Sequence, residues 1–476
     1  MMKKIVKILA AISLLAAVVS CQKEVKETIT DYISAVSVSN HESNSLRVYA
    51  DIEFKKDCDF SIRYWKKDSP EDIQTTSVRH TDALSSRVTL MFLYESTEYE
   101  FEVDIEGKSL YTKPLAFQTR SLPSDITRYE IQRGESVDIP GYIVQNALRA
   151  DGYMTIADTD GKILWYQHCQ PEGRDFTCQF DALQLYPDEN KIWFLNGYLY
   201  NTESGSQAMG TTMGCVDFEG NLSYFWASSD GTSPTPLAHH EIYELPDGNI
   251  LVVGSSQKPW DLSSIGGAAD GYVSGDGYTV FTKEGKIVKQ WDCFSEIDPL
   301  TCPYTNARAF YWDLVHGNSL GIDSEGYYYM SFNRINQVWK IDPASGKVLY
   351  RVGENGNVAM DSKGYPSGVH AATALAPDRI LCLDNGITSG KSRGLIYKVN
   401  PSAMTADVET IVELPEEYCS LDRSNVSLIC DETILCFGLT NSKAVVFTDL
   451  SGTIVKSLKT SIASYRTVYL ENLPII

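Results

Sequence analysis

Apolar and polar residues alternate in short runs along most of the chain, and turns rich in aspartate and glycine join the runs. A strand, an acidic turn and a second strand recur six times, and a further hairpin follows each copy. The six copies are LRADGYMTIAD from Leu148, LYPDENKIWFLNG from Leu185, LPDGNILVVG from Leu245, IDSEGYYYMSF from Ile322, LAPDRILCLDNG from Leu375 and LICDETILCFGL from Leu428. Period-two alternation is typical of half-buried strands, and Asp/Gly turns are typical of tight hairpins. Six pairs of hairpins predict an all-β domain over residues 130–476, a six-bladed β-propeller with four strands in each blade.

A second, smaller unit precedes the repeats. Residues 28–121 contain short alternating strands such as FSIRYWKK (Phe60–Lys67) and YEFEVDIEG (Tyr99–Gly107), which place apolar groups on one face. This pattern resembles a fibronectin type III-like β-sandwich. Another kind of small β-sandwich is the alternative, and either fold suits a spacer or docking module.

Composition excludes several classes of function. The chain has 476 residues, is 43% hydrophobic and carries a formal net charge of -21. Such an acidic protein repels a phosphate backbone, so nucleic-acid binding is not expected. No long apolar run follows the N-terminal segment, so no transmembrane helix is predicted.

The first 21 residues are typical of an export signal. MMKKIVKILAAISLLAAVVSC has a basic start, an apolar stretch and a cysteine after Val18, Val19 and Ser20. This arrangement resembles a bacterial lipobox, in which Cys21 receives a lipid. We therefore expect an exported lipoprotein of the bacterial cell envelope, held to the membrane through Cys21, with an ordinary signal peptide as the alternative.

Ten cysteines remain after Cys21, and two pairs share a spacing of nine residues: Cys169 with Cys178, and Cys293 with Cys302. Export permits disulfides, so each pair is a plausible staple within a loop. The sequence does not determine how the cysteines connect.

Three of the seven histidines fall at the same place in the repeat. His240 and His316 stand seven residues before the aspartate of the next turn, and His370 stands eight before it. Because the first strand of a propeller blade is innermost, neighbouring blades should present these imidazoles at one mouth of the central channel. His239 lies next to His240, and strand alternation predicts that its side chain points the other way.

Arg334 and two asparagines are predicted to join the histidines. Arg334 follows the second strand of its repeat, in SFNRINQVWKID, and that strand runs back to the mouth that carries His316. Asn318 shares a strand face with His316 by period two, and Asn385 ends the corresponding strand of the next repeat. The predicted site therefore combines three histidines, one arginine and one or two amides.

An arginine among imidazoles favours an anion pocket, and a tetrahedral oxyanion is a suitable guest. One neutral imidazole can then act as a nucleophile and another as a general acid. Three imidazoles also suit zinc, which stays an alternative, although an arginine beside a cation is unfavourable. No acidic residue recurs at these positions, so a carboxylate pair for glycoside hydrolysis is not supported. For each histidine, the simplest alternative is a hydrogen-bonded polar group without a catalytic role.

Four motifs together resemble the bacterial arylsulfate sulfotransferase family. They are HHEIYELPDGNILVVG from His239, DLVHGNSLGIDSEG from Asp313, SFNRINQVWKID from Ser331 and GVHAATALAPDRILCLDNG from Gly368. The resemblance implies transfer of a sulfuryl group from a phenolic sulfate ester to a phenol, through a sulfohistidine and without a nucleotide donor. It implies no cofactor and no metal.

The resemblance also implies a role for each matched residue. His370 corresponds to the nucleophile, His240 and His316 to supporting histidines, and Arg334 to the arginine that holds the sulfuryl oxygens. Asn318 corresponds to a substrate-binding amide, and we place His239 and Asn385 beside it as further substrate-binding candidates. The sequence does not decide whether His240 or His316 protonates the departing phenolate.

Two alternatives to a sulfotransferase stay open at this point. The first is a non-catalytic propeller that binds a ligand or partner at the cell surface, and the second is a metal-assisted hydrolase or lyase. Turnover of an aryl sulfate distinguishes the first from a sulfotransferase, and sensitivity to a chelator reveals the second.

Overall fold

The computed structural model describes residues 27–81, 83–111, 113–148, 152–168, 178–201, 207–227, 237–302 and 313–475. The export signal with Cys21, and Cys169 of the first predicted disulfide, lie outside these ranges. The described residues form strands and a few short 3-10 helices, which confirms the all-β class. None of those helices has the length and hydropathy needed to cross a bilayer.

Nine strands form the N-terminal unit. They are β1 Ile33–Asn40, β2 Val48–Phe54, β3 Asp59–Lys66, β4 Ser69–Thr75, β5 Arg79–His80, β6 Ser85–Leu90, β7 Glu98–Ile105, β8 Lys108–Ser109 and β9 Leu115–Gln118. β1, β2 and β6 form one sheet, and the other six form a second sheet built on β3 and β7. Alternate residues of β2 and β7 are buried in one cluster between the sheets, where Tyr99 stacks on Phe117 at 5.3 Å. The period-two pattern thus becomes the packed face of a two-layer unit.

The remaining strands lie between Tyr129 and Leu470. They are β10 Tyr129–Arg133, β11 Tyr142–Ala147, β12 Tyr153–Asp158, β13 Ile163–His168, β14 Cys178–Tyr186, β15 Lys191–Asn201, β16 Gln207–Val216, β17 Leu222–Ala227, β18 Leu237–Glu244, β19 Ile250–Trp260, β20 Gly271–Phe281, β21 Ile287–Asp292, β22 Gly317–Ile322, β23 Tyr328–Phe332, β24 Gln337–Ile341, β25 Val348–Gly353, β26 Val369–Ala376, β27 Arg379–Asp384, β28 Arg393–Asn400, β29 Thr405–Glu413, β30 Asn425–Ile429, β31 Ile434–Leu439, β32 Ala444–Asp449, β33 Ile454–Thr460 and β34 Ser464–Leu470. Short 3-10 helices occupy Ile29–Asp31, Pro187–Glu189, Ser263–Ile265, Cys293–Ser295, Asn333–Ile335, Ser362–Gly364 and Glu416–Tyr418.

These strands form six antiparallel sheets within the described ranges. Four sheets consist of consecutive strands: β14–β17, β18–β21, β22–β25 and β26–β29. The fifth adds β10 to β30–β33, and the sixth joins β34 from the C-terminal end to β11–β13. The repeat pattern did not predict that the first repeat supplies only three strands and that β34 completes its sheet.

The six sheets follow one another in a closed cycle. The first strands β14, β18, β22, β26 and β30 are neighbours in that order, and β34 lies between β30 and β14. A hydrophobic cluster fills each gap between successive sheets, including the gap between the first sheet and the last. Packing between sheets therefore holds the inner strands around a common centre.

Arg47 and Asn44 bind the N-terminal unit to strand β13 and to the turn between β16 and β17. Arg47 donates to Gln167 Oε1 at 2.9 Å and to the Phe218 carbonyl oxygen at 3.0 Å, and Asn44 donates to the Tyr166 carbonyl oxygen at 2.9 Å. Burial lowers the pKa of Arg47 to about 10, and nearby acidic groups oppose this shift. The two units thus share a polar junction that excludes water.

The predicted staple between Cys293 and Cys302 is not present. Cys293 is a free thiol, and both cysteines lie buried in the hydrophobic cluster between the β18–β21 sheet and the β22–β25 sheet. Burial raises the pKa of the Cys293 thiol well above its ordinary value, so this residue behaves as a small apolar core group.

Candidate active site

Three successive sheets carry a left-handed residue near the start of their inner strand. His240 has φ 64°, His316 has φ 51° and Ala371, next to His370, has φ 50°. The strand register shifts at each place, between His239 and Ile242, Gly317 and Ser319, and His370 and Thr373. A β-bulge redirects the neighbouring side chains, and each such conformation costs about 1–3 kcal/mol. Each of the three histidines therefore lies at or beside a strained residue.

The bulges bring the histidines together. The ring centroids of His240 and His316 lie 5.3 Å apart with perpendicular planes, and those of His240 and His370 lie 6.2 Å apart. The Tyr465 ring, on β34, lies 5.9 Å from His240 and 6.3 Å from His370. The three histidines selected from the repeat therefore form one cluster, with His240 at its centre.

His370 is the most deeply buried histidine of the cluster. Its relative exposure is 3%, and its Nδ1 atom has no hydrogen-bond partner among the described residues. Burial, followed by the charge of His316, lowers its pKa to about 3. His370 is therefore a neutral imidazole at physiological pH, with a lone pair available.

His316 and Arg334 are held by the same carboxylate oxygen. Asp313 Oδ2 lies 2.9 Å from His316 Nδ1 and accepts from Arg334 Nε at 3.2 Å and Nη2 at 3.0 Å. Burial raises the pKa of Asp313, but His316 and Arg334 outweigh burial and keep it below its ordinary value. An ionised Asp313 thus fixes an imidazole and a guanidinium side by side.

The prediction that His239 points away from His240 was wrong. The two Nδ1 atoms are 2.5 Å apart, because the left-handed conformation of His240 interrupts the strand alternation. On its other side, His239 Nε2 lies 2.8 Å from Ser255 Oγ and 3.3 Å from Asp276 Oδ1. His239 therefore contacts His240 and a buried carboxylate within the same network.

The two predicted asparagines contact the backbone. Asn318 donates to the Val369 carbonyl oxygen at 3.0 Å and accepts from Ser331 Oγ at 2.5 Å. Asn385 donates to the carbonyl oxygens of Ser420 at 2.6 Å and Arg423 at 3.2 Å. Both are fully buried, so Asn318 supports the strand that carries His370, and Asn385 holds the loop that precedes β30.

Five residues of the cluster were not predicted from the sequence: Asp276, Asp313, Glu241, Tyr465 and Arg466. Arg466 binds Glu241 through Nη1 and donates from Nη2 to the Asn318 carbonyl oxygen at 2.8 Å. Asp313 lies three residues before His316 in DLVH, and that spacing is a signal that was available in the sequence. Tyr465 and Arg466 lie on β34, and only closure of the cycle brings them to the site.

Among the described residues, one group brings metal-ligand atoms within 4.8 Å of one another: Asp276, Asp313 and His316. It is not the set of three histidines considered for zinc. Asp313 already accepts from His316 and Arg334, and a guanidinium on that oxygen opposes a second cation. The donor set therefore fits an ion-pair network better than a metal site.

Sequence comparison identifies the class of protein to which this site belongs. Residues 135–457 match the family described as Arylsulfotransferase (ASST). The match spans more than half of the chain and includes all the histidines of the cluster, so the protein belongs to the arylsulfotransferase family. Membership indicates an aryl sulfotransferase, whose substrates are phenolic sulfates and phenols. No sequence among curated proteins matches the chain.

Solved structures give weak similarities. A periplasmic gluconolactonase of Pseudomonas aeruginosa aligns with a TM-score of 0.41 and 12% identity over 71% of this chain and 100% of that chain. A Bacteroides caccae protein of unknown function aligns with a TM-score of 0.41 and 11% identity over 70% and 100% of the two chains. Virginiamycin B lyase from Staphylococcus aureus aligns with a TM-score of 0.29 and 13% identity over 71% and 100%. Similarities at this level indicate no activity.

Proposed function

We propose that the protein transfers a sulfuryl group from a phenolic sulfate ester to a phenol, with His370 as the covalent carrier and without a nucleotide sulfate donor. One observation carries the proposal. A buried, neutral imidazole with an unpartnered Nδ1 lies beside other imidazoles, in a cluster that also contains a guanidinium held by Asp313. A neutral nitrogen nucleophile beside cationic and N–H donors suits an anionic electrophile such as an aryl sulfate.

The first half-reaction breaks the bond between sulfur and the phenol oxygen. His370 donates its lone pair to sulfur, the S–O electron pair leaves on the phenolate, and a neighbouring imidazole gives that oxygen a proton. In the second half-reaction, the acceptor phenol loses its proton and its oxygen bonds to sulfur. The S–N electron pair then returns to His370, which is ready for another donor.

Arg334 and His316 are the groups proposed to stabilise the transferring sulfuryl. By analogy with phosphoryl transfer, charge spreads over the equatorial oxygens in a loose transition state, and prearranged donors supply much of the acceleration. Asp313 fixes Arg334 and His316 before the substrate arrives, so little reorganisation is needed at the reacting centre.

The test is release of 4-nitrophenol from 4-nitrophenyl sulfate, with and without a second phenol, in wild type and in His370→Ala. We expect acceptor-dependent release that survives a chelator and disappears in the variant, together with an acid-labile sulfuryl adduct on His370. His168→Ala, on the outer strand β13, is a matched control that should keep full activity. A folded wild type that binds aryl sulfates without releasing phenol would leave the ligand-binding propeller as the better description.

We also propose that the six sheets are the blades of a six-bladed β-propeller over residues 130–476 and that residues 28–121 are a fibronectin type III-like sandwich. The closed order of the inner strands and the shared core of the two N-terminal sheets support these assignments. For the N-terminus, the lipobox-like sequence supports an exported lipoprotein of the bacterial envelope, anchored through Cys21. Cys21→Ser should release the protein from the membrane fraction, and unchanged membrane association would contradict the anchor.

A further inference from the structure

Four side chains form a hydrogen-bonded series that begins at His240 and ends at Asp276. His240 Nδ1 contacts His239 Nδ1 at 2.5 Å, and His239 Nε2 contacts Ser255 Oγ at 2.8 Å. Ser255 donates to Asp276 Oδ1 at 2.6 Å. Because the serine gives its hydrogen to the carboxylate, its oxygen accepts from His239 Nε2, which therefore carries a hydrogen.

The contact between the two Nδ1 atoms holds one hydrogen, and its position sets the state of His240. With that hydrogen on His240, both rings are neutral and His240 Nε2 is a lone pair. The second state has one more proton. The shared hydrogen then lies on His239, which becomes an imidazolium beside Asp276, and the added hydrogen lies on His240 Nε2, so His240 is a neutral N–H donor. His240 Nε2 thus changes between acceptor and donor while the His240 ring stays neutral.

We propose that His239 and Asp276 act as a charge store for general acid–base catalysis. The positive charge resides on the His239 ring beside Asp276, and the neutral His240 ring exchanges the proton with the phenol. The inference rests on the proposed sulfuryl transfer and assigns the acid–base role to His240. When the donor is cleaved, the hydrogen on His240 Nε2 moves to the departing phenolate oxygen, and the hydrogen on His239 Nδ1 moves to His240 Nδ1. When the acceptor phenol reacts, its hydrogen moves to His240 Nε2 and the hydrogen on His240 Nδ1 returns to His239.

The surroundings of the two rings explain why the charge is stored on His239. A charge on His240 would lie among His239, His316, His370 and Arg466, and burial together with these neighbours holds the pKa of His240 well below 6.5. A charge on His239 lies 3.3 Å from Asp276 instead. Burial raises the pKa of Asp276, but His239 and Ser255 outweigh burial, so the carboxylate is ionised.

His239→Asn tests the charge store directly. An asparagine oxygen replaces Nδ1 as an acceptor for His240 but cannot carry a proton to and fro. Asp276→Asn removes the compensating charge. It also affects the 2.6 Å hydrogen bond that the Gly317 N–H donates to Asp276 Oδ2, whereas His239→Asn leaves that bond in place. Ser256→Ala is the matched control, because the Ser256 hydroxyl bonds to Asp292 instead.

The assay measures the first turnover of aryl sulfates whose leaving phenols range from 4-nitrophenol to the less acidic 4-methoxyphenol. An acidic phenol leaves without help, so His239→Asn should change release of 4-nitrophenol less than about threefold and slow release of 4-methoxyphenol about 100-fold. Asp276→Asn should show the same dependence on the leaving group, and Ser256→Ala should resemble wild type.

If His239→Asn slows phenol release equally with every donor, as a structural defect would, the charge store is overturned while the sulfotransferase assignment stands. Unchanged release of 4-methoxyphenol also overturns it. A folded wild type that turns over none of the donors overturns both the proposed function and this inference.

Discussion

The buried ion pair between Arg466 and Glu241 links the last inner strand to the histidine cluster. Arg466 lies on β34 and Glu241 follows His240 on β18, and their side chains are 10% and 8% exposed. Arg466→Met removes the cation and leaves the Glu241 carboxylate buried without its counter-charge. Breaking a buried pair in this way lowers the free energy of unfolding by about 3–5 kcal/mol, because the remaining charge has lost both water and partner.

Urea unfolding followed by tryptophan fluorescence measures that free energy. Arg379→Met is the matched control, since Arg379 pairs with Glu409 and Glu432, which are 28% and 58% exposed, and it should cost about 0–1 kcal/mol. Adding Glu241→Gln to Arg466→Met should recover part of the loss, because it removes the uncompensated charge. The reasoning is refuted if Arg466→Met costs no more than Arg379→Met, or if Glu241→Gln recovers nothing.

Two further predictions concern Asp313 and pH. Asp313→Asn releases His316 and Arg334 from their shared oxygen and should lower kcat/KM for aryl sulfates about 100-fold. Asp298→Asn, in an exposed loop, is the control and should leave kcat/KM unchanged. Similar losses in both variants would contradict the positioning role of Asp313. The pKa of His370 is about 3 in the folded protein, below its ordinary 6.5, so unfolding takes up a proton between these values and acid destabilises the fold. Between about pH 6 and pH 3, wild type should therefore lose about 1.4 kcal/mol of unfolding free energy per pH unit more than His370→Gln. Urea unfolding measures both slopes, and equal slopes would contradict the buried neutral imidazole.

Local patterns determine most of the fold. The period-two alternation and the Asp/Gly turns place the hairpins correctly, because both depend on neighbours a few residues away. For example, Asp158 Oδ1 accepts from the backbone of Asp160 at 3.0 Å and Lys162 at 2.9 Å within one such turn. The role of β34 was not predicted, because its pairing with β11 joins residues more than 300 positions apart and no local pattern records that pairing.

The sequence by itself determined that this is an all-β member of the arylsulfotransferase family, and the common repeat position of His240, His316 and His370 indicated a shared site. Only the tertiary structure decided how those side chains point. His239 faces His240 because a left-handed residue interrupts the strand alternation, and Arg466 reaches the site because the cycle of sheets closes through β34. Strand periodicity describes regular backbone, whereas bulges, ring closure and buried ion pairs depend on contacts between distant parts of the chain.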